Sequence, residues 1–215
     1  MKLYFIRHGE SEGNKQGKIQ GSMDFPLSEL GHIQAKAVAE FCQTLPIDDV
    51  YTSDLSRALH TAETIANPLN HRLTQTALLR EVHLGVLQGK TREEIFEQYP
   101  HLKGKPLVGS DAEGAETTEA LSRRCEQLLH MLKEHHQQDE AILLVSHGGF
   151  ISTLLTYLIA GANWGDVNRP FVIGNTSVTL VEWDVEADRF YIEYTNRTAH
   201  LETIKADHQA KKGIL

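Results

Sequence analysis

The chain has 215 residues, of which 40% are hydrophobic and 23% charged, and its formal net charge is −8. This is the composition of an ordinary globular protein, and the length suits one α/β domain with a full hydrophobic core. An acidic chain is a poor candidate for non-specific binding to nucleic acid or to a membrane surface, so neither is expected as a partner.

The cysteine and apolar patterns favour a cytoplasmic protein. Cys42 and Cys125 fall at apolar positions of predicted helices without CxxC spacing, which indicates buried thiols in a reducing compartment. The four apolar residues before Arg7 are too few for a signal peptide, and no apolar run reaches the length of a membrane span.

The first half of the chain alternates predicted strands and helices. The continuously apolar run Lys2–Ile6 predicts a strand that is covered on both faces. Apolar residues at three- and four-residue spacing predict one helix after the N-cap residue Ser28 and another over residues 58–69. Two further strands are predicted at Asp49–Thr52 and Arg72–Leu78.

The second half continues the alternation after an irregular segment. Residues 82–117 are rich in glycine and charge and contain one short helix, which the capping box Thr91-Arg92-Glu93-Glu94 opens and Pro100 ends. The later predicted elements are a helix over residues 121–132, a strand at Ala141–Ser146, a helix at Ile151–Ile159 and a hairpin of Ser177–Trp183 with Arg189–Tyr194. Such alternation predicts an α/β layered fold with a mostly parallel sheet.

A histidine followed by a glycine lies at the end of each of two predicted strands. Arg7-His8-Gly9-Glu10 follows the first strand, and Ser146-His147-Gly148-Gly149 follows the strand at Ala141–Ser146. Ligands of open α/β sheets bind at the carboxyl ends of the strands, and adjacent strands lie only about 4.8 Å apart. Both imidazoles are therefore expected to reach one small group.

Two more charged residues follow neighbouring predicted strands. Arg57 begins the helix after Asp49–Thr52, and Glu81 follows the run that ends near Leu78. Arginine forks match phosphate oxygens, a neutral imidazole can attack phosphorus, and a carboxylic acid can protonate the leaving oxygen. This set of residue types favours phosphoryl transfer.

The glycine-containing loop of residues 9–21 fits the same chemistry. Ser11, Asn14, Gln20 and the amides of the loop glycines can donate hydrogen bonds to anionic oxygens. Twelve histidines occur, yet no HExxH or CxxC…H spacing is present, so no structural metal site is expected. No cofactor is expected either. Helical phase assigns Arg123 and Arg124 to a solvated face.

These motifs together resemble those of the histidine phosphatase superfamily, in the branch shared by cofactor-dependent phosphoglycerate mutases and related phosphatases. The resemblance is in register from Met1 to about Trp183. It is carried by the segments Arg7-His8-Gly9-Glu10 with Asn14, Pro26-Leu27-Ser28-Glu29-Leu30-Gly31, Ser53-Asp54-Leu55-Ser56-Arg57-Ala58, Arg80-Glu81-Val82-His83-Leu84-Gly85, Gly114-Ala115-Glu116-Thr117, Val145-Ser146-His147-Gly148-Gly149 and Asn175-Thr176-Ser177.

The resemblance implies a fold and a set of roles. The fold would be a three-layer sandwich with a mostly parallel mixed sheet and helices on both faces. Residues 1–195 would form one domain, with residues 82–117 as an excursion over the active site, and residues 196–215 a polar tail. His8 would be the nucleophile and Glu81 the proton donor. The phosphate of a small metabolite would contact Arg7, Asn14, Gln20, Gly21, Arg57, His147 and Gly148, and no metal is implied.

Hydrolysis is favoured over mutase activity, since the insertion after the acid-bearing loop is short and contains no basic pair beyond Lys103 and Lys105. Cofactor-dependent phosphoglycerate mutase remains the alternative within the family. Two other interpretations stay open. One is a non-catalytic member that binds a phosphorylated ligand, and the other is a metal-dependent hydrolase that uses His8, His83 and His147.

Overall fold

The computed structural model describes residues 1–167 and 170–202, which fold around one mixed sheet of six strands. The sheet order is β3-β2-β4-β1-β5-β6. Strands β1 to β4 are parallel to one another, and β5 and β6 form the predicted antiparallel hairpin at one edge. The strands are β1 Lys2–Arg7, β2 Asp49–Thr52, β3 Leu73–Gln75, β4 Ala141–Ser146, β5 Val178–Asp184 and β6 Arg189–Arg197.

Six α-helices connect and flank these strands in the described part of the chain. Two of these helices start at the capping residues predicted from the sequence. Ser28 accepts a hydrogen bond from the amide of Gly31, and Thr91 forms a capping box with Glu94. The helices are α1 Glu12–Lys15, α2 Glu29–Cys42, α3 Ser56–Leu69, α4 Arg92–Gln98, α5 Thr118–His135 and α6 Gly148–Ala160.

Both faces of the sheet are covered by helices. Alternate side chains of β1 point to opposite sides, so Phe5 joins a core with Leu128 of α5 and Leu154 of α6. Ile6 joins a second core with Val38 of α2 and Ile65 of α3. The three-layer α/β fold expected from the sequence is therefore confirmed.

Strand register determines where the functional side chains emerge. Arg7, the last residue of β1, pairs with Ser146, the last residue of the parallel strand β4. On the other side of β4, Thr52 of β2 pairs with Val145. The residues that follow these three strands therefore leave the sheet side by side at its carboxyl edge.

Two predicted strands differ from the structure by more than one residue at an end. The strand predicted at Arg72–Leu78 is shorter, because Thr76 accepts a hydrogen bond from the amide of Leu78 and begins a 3₁₀ turn at Ala77–Leu79. The last strand is longer than predicted and ends at Arg197, followed by a 3₁₀ turn at Ala199–Leu201. Residues 203–215 of the predicted polar tail lie outside the described residues.

The segment of residues 82–117 is built from short elements that share the core of α5 and α6. It contains 3₁₀ turns at Gly85–Leu87 and Pro100–Leu102, with helix α4 between them. Several of its apolar side chains, among them Leu87, Ile95 and Leu102, are almost fully buried. Across residues 1–167 and 170–202, no helix combines the length and apolarity that a membrane crossing requires.

Candidate active site

His8 and His147 lie together at the carboxyl edge of the sheet. They directly follow the paired residues Arg7 and Ser146, and their ring centroids are 5.0 Å apart. Both residues are buried, with 2% and 0% of their surfaces exposed. The structure thus brings together the two histidines that the sequence placed at separate strand ends.

The hydrogen bonds of His8 define which ring nitrogen is free to react. Its Nδ1 atom lies 2.6 Å from the carbonyl oxygen of Gly9, which can only accept, so Nδ1 carries the proton. Burial, followed by the charges of Arg57 and Arg7, lowers the pKa of His8 well below its ordinary value. His8 is therefore neutral, and the lone pair is on Nε2.

His147 is oriented from both sides of its ring. Its Nδ1 atom accepts a hydrogen bond of 3.2 Å from Nε of Arg57, so its Nε2 atom holds the proton and donates to Oγ of Ser53 at 2.9 Å. Burial and the charge of Arg57 lower the pKa of His147 well below its ordinary value. The second imidazole is therefore neutral in this arrangement.

Arg57 is the cation at the centre of the site. It is fully buried, and its Nε atom lies 3.3 Å from Nε2 of His8 as well as near His147. Its Nη atoms donate to the carbonyl oxygens of Met23 and Gly21, both at 2.8 Å. Burial lowers the pKa of Arg57 to about 10, so the guanidinium stays charged at neutral pH.

Arg7 supplies a second buried cation. Its Nη1 atom donates to the carbonyl oxygen of Ile173 at 2.7 Å, while its buried Nε atom has no hydrogen-bond partner in the described part of the chain. A β-carbon on Gly148 would lie only 3.3 Å from this Nε, so glycine leaves the donor uncovered on that side. An unpaired buried donor costs about 1–3 kcal/mol, which an anionic oxygen would recover.

Glu81 is held by backbone amides at the start of α6. Its oxygens accept hydrogen bonds from the amides of Gly149 and Phe150 at 3.0 and 2.8 Å, and from Val82 at 2.9 Å. Its charge raises the pKa of both Arg7 and Arg57 against the larger effect of burial. The carboxylate therefore lies within electrostatic range of both guanidinium groups.

The loop residues predicted to bind phosphate form one hydrogen-bonded unit. The side-chain oxygen of Asn14 accepts from the amide of Ser11 at 3.2 Å, and that of Gln20 accepts from the hydroxyl of Ser11 at 2.7 Å. Their oxygens are thus occupied, and it is the NH₂ groups that remain to donate to an anion. Gly21 has a φ of +52°, and its carbonyl contacts Arg57.

Close backbone packing presses the His8 loop against helix α2. A β-carbon on Gly9 would lie 2.5 Å from the carbonyl oxygen of Gly31, and one on Gly31 would lie 2.0 Å from the carbonyl oxygen of Glu10. Either distance is below any normal contact. Only glycine at both positions allows the loop and the helix to approach this closely.

Sequence reasoning assigned no role to several residues that build the site. Ser53 orients His147, and Asn175 donates to the carbonyl oxygen of His8 at 3.1 Å. The amide of Thr176 donates to the carbonyl oxygen of Arg7 at 3.0 Å. All three are polar residues close to the end of a strand. That position is the one feature of the sequence that could have indicated a role in the site.

The solvated position predicted for Arg124 is wrong. Arg123 is exposed, but only 11% of the Arg124 side chain is accessible, and this side chain pairs with Glu116. The helical phase was correct for α5 itself. The cover over Arg124 comes from segments distant in sequence, including Phe150, whose ring lies beneath its guanidinium.

A metal centre at His8, His83 and His147 receives no support from their contacts. His83 directs its Nδ1 atom to the hydroxyl of Ser22 at 2.6 Å. Within the described ranges of the chain, no group of three or more histidine, cysteine or acidic side chains is arranged to hold an ion.

Comparison with known proteins agrees with this geometry. The sequence profile of the histidine phosphatase superfamily (branch 1) matches residues 3–198. A relative from Citrobacter koseri, named probable phosphoglycerate mutase GpmB, is 30% identical over 214 residues, which cover 96% of this chain and 98% of the relative.

Solved structures of phosphatases are similar over nearly the whole chain. A mycobacterial glucosyl-3-phosphoglycerate phosphatase in complex with VO3 has a TM-score of 0.80 at 30% identity, covering 92% of this chain and 99% of its own. A mutant phosphoserine phosphatase from Entamoeba histolytica in complex with phosphoserine has a TM-score of 0.74 at 29% identity, covering 93% and 98%. The profile match and these similarities together establish that the chain belongs to the histidine phosphatase superfamily, branch 1.

Proposed function

We propose that the protein is a phosphatase that hydrolyses small phosphomonoesters through a phosphohistidine on Nε2 of His8. One observation carries the proposal. The proton of the neutral His8 ring is on Nδ1, so the lone pair is on Nε2. This Nε2 atom lies 3.3 Å from the Nε atom of the buried cation Arg57. A nucleophile beside a desolvated cation is suited to attack a phosphoryl group that the cation attracts.

The first chemical step transfers the phosphoryl group to the enzyme. The Nε2 lone pair of His8 forms a bond to phosphorus while the bond from phosphorus to the ester oxygen breaks. Arg7, Arg57 and His147 surround the phosphoryl oxygens, on which negative charge is spread in the transition state. Glu81 in its protonated form delivers its proton to the leaving oxygen, so the first product leaves as a neutral alcohol and Glu81 becomes a carboxylate.

The second step returns the enzyme to its starting state. Glu81, now a carboxylate, takes a proton from a water molecule, whose oxygen forms a bond to phosphorus. The bond between phosphorus and Nε2 of His8 breaks, and its electron pair returns to the imidazole. Inorganic phosphate is released, Glu81 is again protonated, and no metal ion or cofactor takes part in the sequence.

Small phosphorylated carboxylic acids are the substrate class that the neighbours favour. Related structures were solved with phosphoserine and with 3-phosphoglyceric acid, which are phosphomonoesters of small acids. The site is built for one phosphoryl group, and the chain's net charge of −8 disfavours long anionic polymers. We propose a small phosphorylated metabolite of this class as the substrate.

Phosphoglycerate mutase activity is the second candidate, favoured by the name of the relative that is 30% identical. A mutase would pass the phosphoryl group from His8 to a second hydroxyl rather than to water. A pure binding protein is disfavoured, because binding would not require the carboxylate of Glu81 beside two arginines that hold the phosphate.

The test is phosphate release from a panel of phosphomonoesters that includes phosphoserine and 3-phosphoglycerate, measured for the wild type and for His8→Ala. We expect release by the wild type and none above background by His8→Ala. The exposed histidine His32 provides the matched control, so His32→Ala should behave as the wild type. During turnover, acid-labile and alkali-stable phosphate should appear on the wild type and on His32→Ala, but not on His8→Ala.

Covalent label that persists on His8→Ala would overturn the assignment of the nucleophile. Conversion of 3- to 2-phosphoglycerate without phosphate release would favour the mutase instead. A wild type that is labelled by no ester and releases no phosphate would contradict the phosphatase proposal, and the conversion assay would then test the mutase.

A further inference from the structure

Arg124 is a nearly buried cation outside the phosphate-binding set. It lies on α5, and 11% of its side chain is accessible to solvent. Its Nε atom is buried without a hydrogen-bond partner in the described residues. Burial lowers the pKa of Arg124, and the carboxylates of Glu116 and Glu81 oppose that shift. A buried charge with an incomplete set of partners contributes little net stability, so its position calls for another explanation.

The guanidinium of Arg124 contacts three segments at once. Its Nη1 atom donates to the carbonyl oxygen of Arg80 at 2.7 Å, and its Nη2 atom donates to Oε2 of Glu116 at 2.8 Å. Its Cζ atom lies 4.4 Å from the ring centroid of Phe150. Planar, forked and always charged, arginine is the side chain that can make all three contacts in one orientation.

Each of these contacts leads to Glu81. The carbonyl of Arg80 belongs to the peptide bond that joins Arg80 to Glu81. Phe150, which lies under the guanidinium, donates its amide to Oε1 of Glu81 at 2.8 Å. Glu116 also accepts a hydrogen bond of 2.8 Å from the amide of His83, two residues after Glu81. Arg124 thus holds the chain before and after Glu81, together with the helix start that binds its carboxylate.

We propose that Arg124 is a positioning residue that fixes the Glu81 carboxyl group where it can protonate the leaving oxygen, an inference that rests on the proposed function of Glu81. In this role Arg124 acts through Glu81 and its supporting backbone rather than by holding the phosphate. Its loss should therefore reproduce the kinetic defect that loss of the acid causes, in a weaker form.

The distinguishing measurement is kcat/KM for two esters that differ in their need for an acid. Release of an alkyl alcohol from phosphoserine requires protonation, whereas p-nitrophenol leaves readily as an anion. Because kcat/KM reports steps only up to release of the alcohol, it excludes the later role of Glu81 in activating water. Glu81→Gln should lower kcat/KM for phosphoserine by about 10²- to 10⁴-fold and that for p-nitrophenyl phosphate much less.

Arg124→Gln should show the same selectivity. We expect kcat/KM for phosphoserine to fall by about 10- to 100-fold, the range that a small misplacement of a catalytic group produces, and that for p-nitrophenyl phosphate by less than about threefold. In the double variant with Glu81→Gln, removal of Arg124 should cause little further loss, since both changes disable one function. Arg123→Gln, a change at the exposed neighbour, should leave both values unchanged.

Two further variants separate geometry from charge and from folding. Arg124→Lys keeps the charge but loses the fork, so it should remain impaired toward phosphoserine. Glu116→Gln keeps the shape of the ion-pair partner and should cause a milder loss of the same selectivity, which provides a test if Arg124→Gln does not fold.

An equal loss of kcat/KM for both esters in a folded Arg124→Gln would overturn the positioning role. A wild-type kcat/KM for phosphoserine in Arg124→Lys would also overturn it. If Glu81→Gln lowers kcat/KM equally for both esters, the proposed acid role of Glu81 is wrong. The inference about Arg124 then fails with it. If Glu81→Gln is selective and Arg124→Gln is not, only the inference about Arg124 fails.

Discussion

The Nε atom of Arg57 lies 3.3 Å from Nε2 of His8, and both residues are buried at the carboxyl edge of the sheet. Protonating Nε2 would place two positive charges in contact away from water. Burial is the largest cause of the low pKa of His8, and the charge of Arg57 is the next. The same cation that attracts a phosphoryl group therefore keeps the proposed nucleophile unprotonated.

This relationship predicts the acid limb of the activity profile. His8 should stay neutral well below pH 6.5. After kcat/KM is corrected for the second ionisation of the substrate phosphate near pH 6, it should therefore show no fall with a midpoint at about pH 6.5. The measurement is kcat/KM for phosphoserine from about pH 8 down to about pH 5. A corrected midpoint at or above about pH 6.5 would mean that His8 is not shielded as its contacts indicate.

Stability should depend on pH in a direction set by the same burial. In the folded state the pKa values of His8 and His147 are well below 6.5, whereas the unfolded chain binds protons at about pH 6.5. The unfolded state therefore takes up more protons as the pH falls, and the free energy of unfolding should decrease below about pH 6.5. The decrease should continue down to the folded-state pKa values.

Urea unfolding at several pH values measures this slope. His147→Gln removes one of the histidines whose pKa burial lowers, so its free energy of unfolding should fall less steeply between about pH 6.5 and about pH 5. His32→Gln, at an exposed position, should keep the wild-type slope. A wild-type free energy of unfolding that rises on acidification in this range would contradict the predicted sign.

The contact between the His8 loop and α2 predicts a defect from adding one methyl group. In Gly31→Ala the new β-carbon would lie 2.0 Å from the carbonyl oxygen of Glu10, which is backbone and cannot rotate away. The loop or the helix must move, at a cost of about 1–3 kcal/mol or more in the free energy of unfolding.

Thermal unfolding and phosphate release should be measured together for Gly31→Ala. The melting temperature should fall, and activity should fall with it because Gly9 is attached directly to His8. His32→Ala, one residue further along the same helix, adds no clash and is the control. An alanine at position 31 that leaves both quantities unchanged would show that the packing is looser than the structure indicates.

Much of the fold and of the site follows from local sequence patterns. The apolar runs predicted Asp49–Thr52 and Ala141–Ser146 with their observed bounds, and the residues after the strand ends supplied His8 and His147. Pairing of parallel strands then brings those two histidines together without further information. The spacing of apolar residues and the helix-capping residues are properties of neighbouring positions, so they can be read from a single sequence.

Two arrangements could not be predicted in this way. The burial of Arg124 depends on Arg80, Glu116 and Phe150, which three separate segments of the chain bring to α5. The short strand β3 depends on the hydroxyl of Thr76, which competes with the sheet for local hydrogen bonds. Neither arrangement leaves a periodic trace in the sequence.

The proposed mechanism predicts that activity survives removal of metal ions. The positive charge at the phosphate site comes from Arg7 and Arg57, both still protonated at neutral pH. Phosphate release should be the same before and after dialysis against EDTA. Loss of activity that a divalent cation restores would instead support a metal centre at His8, His83 and His147.

Ser53 gives the last prediction, because it fixes the ring of His147. Its hydroxyl accepts the Nε2 proton of His147 at 2.9 Å, which leaves Nδ1 to accept from Arg57. Ser53→Ala removes that acceptor from a buried donor, and the ring can then shift its proton to Nδ1, where it would oppose the N–H of Arg57. We expect kcat/KM to fall by about tenfold, equivalent to about 1.4 kcal/mol, within the cost of an unpaired buried donor.

Ser56→Ala is the matched control, since its hydroxyl contacts Asp24 and not the imidazole. A folded Ser53→Ala enzyme with wild-type kcat/KM would mean that Arg57 alone orients His147.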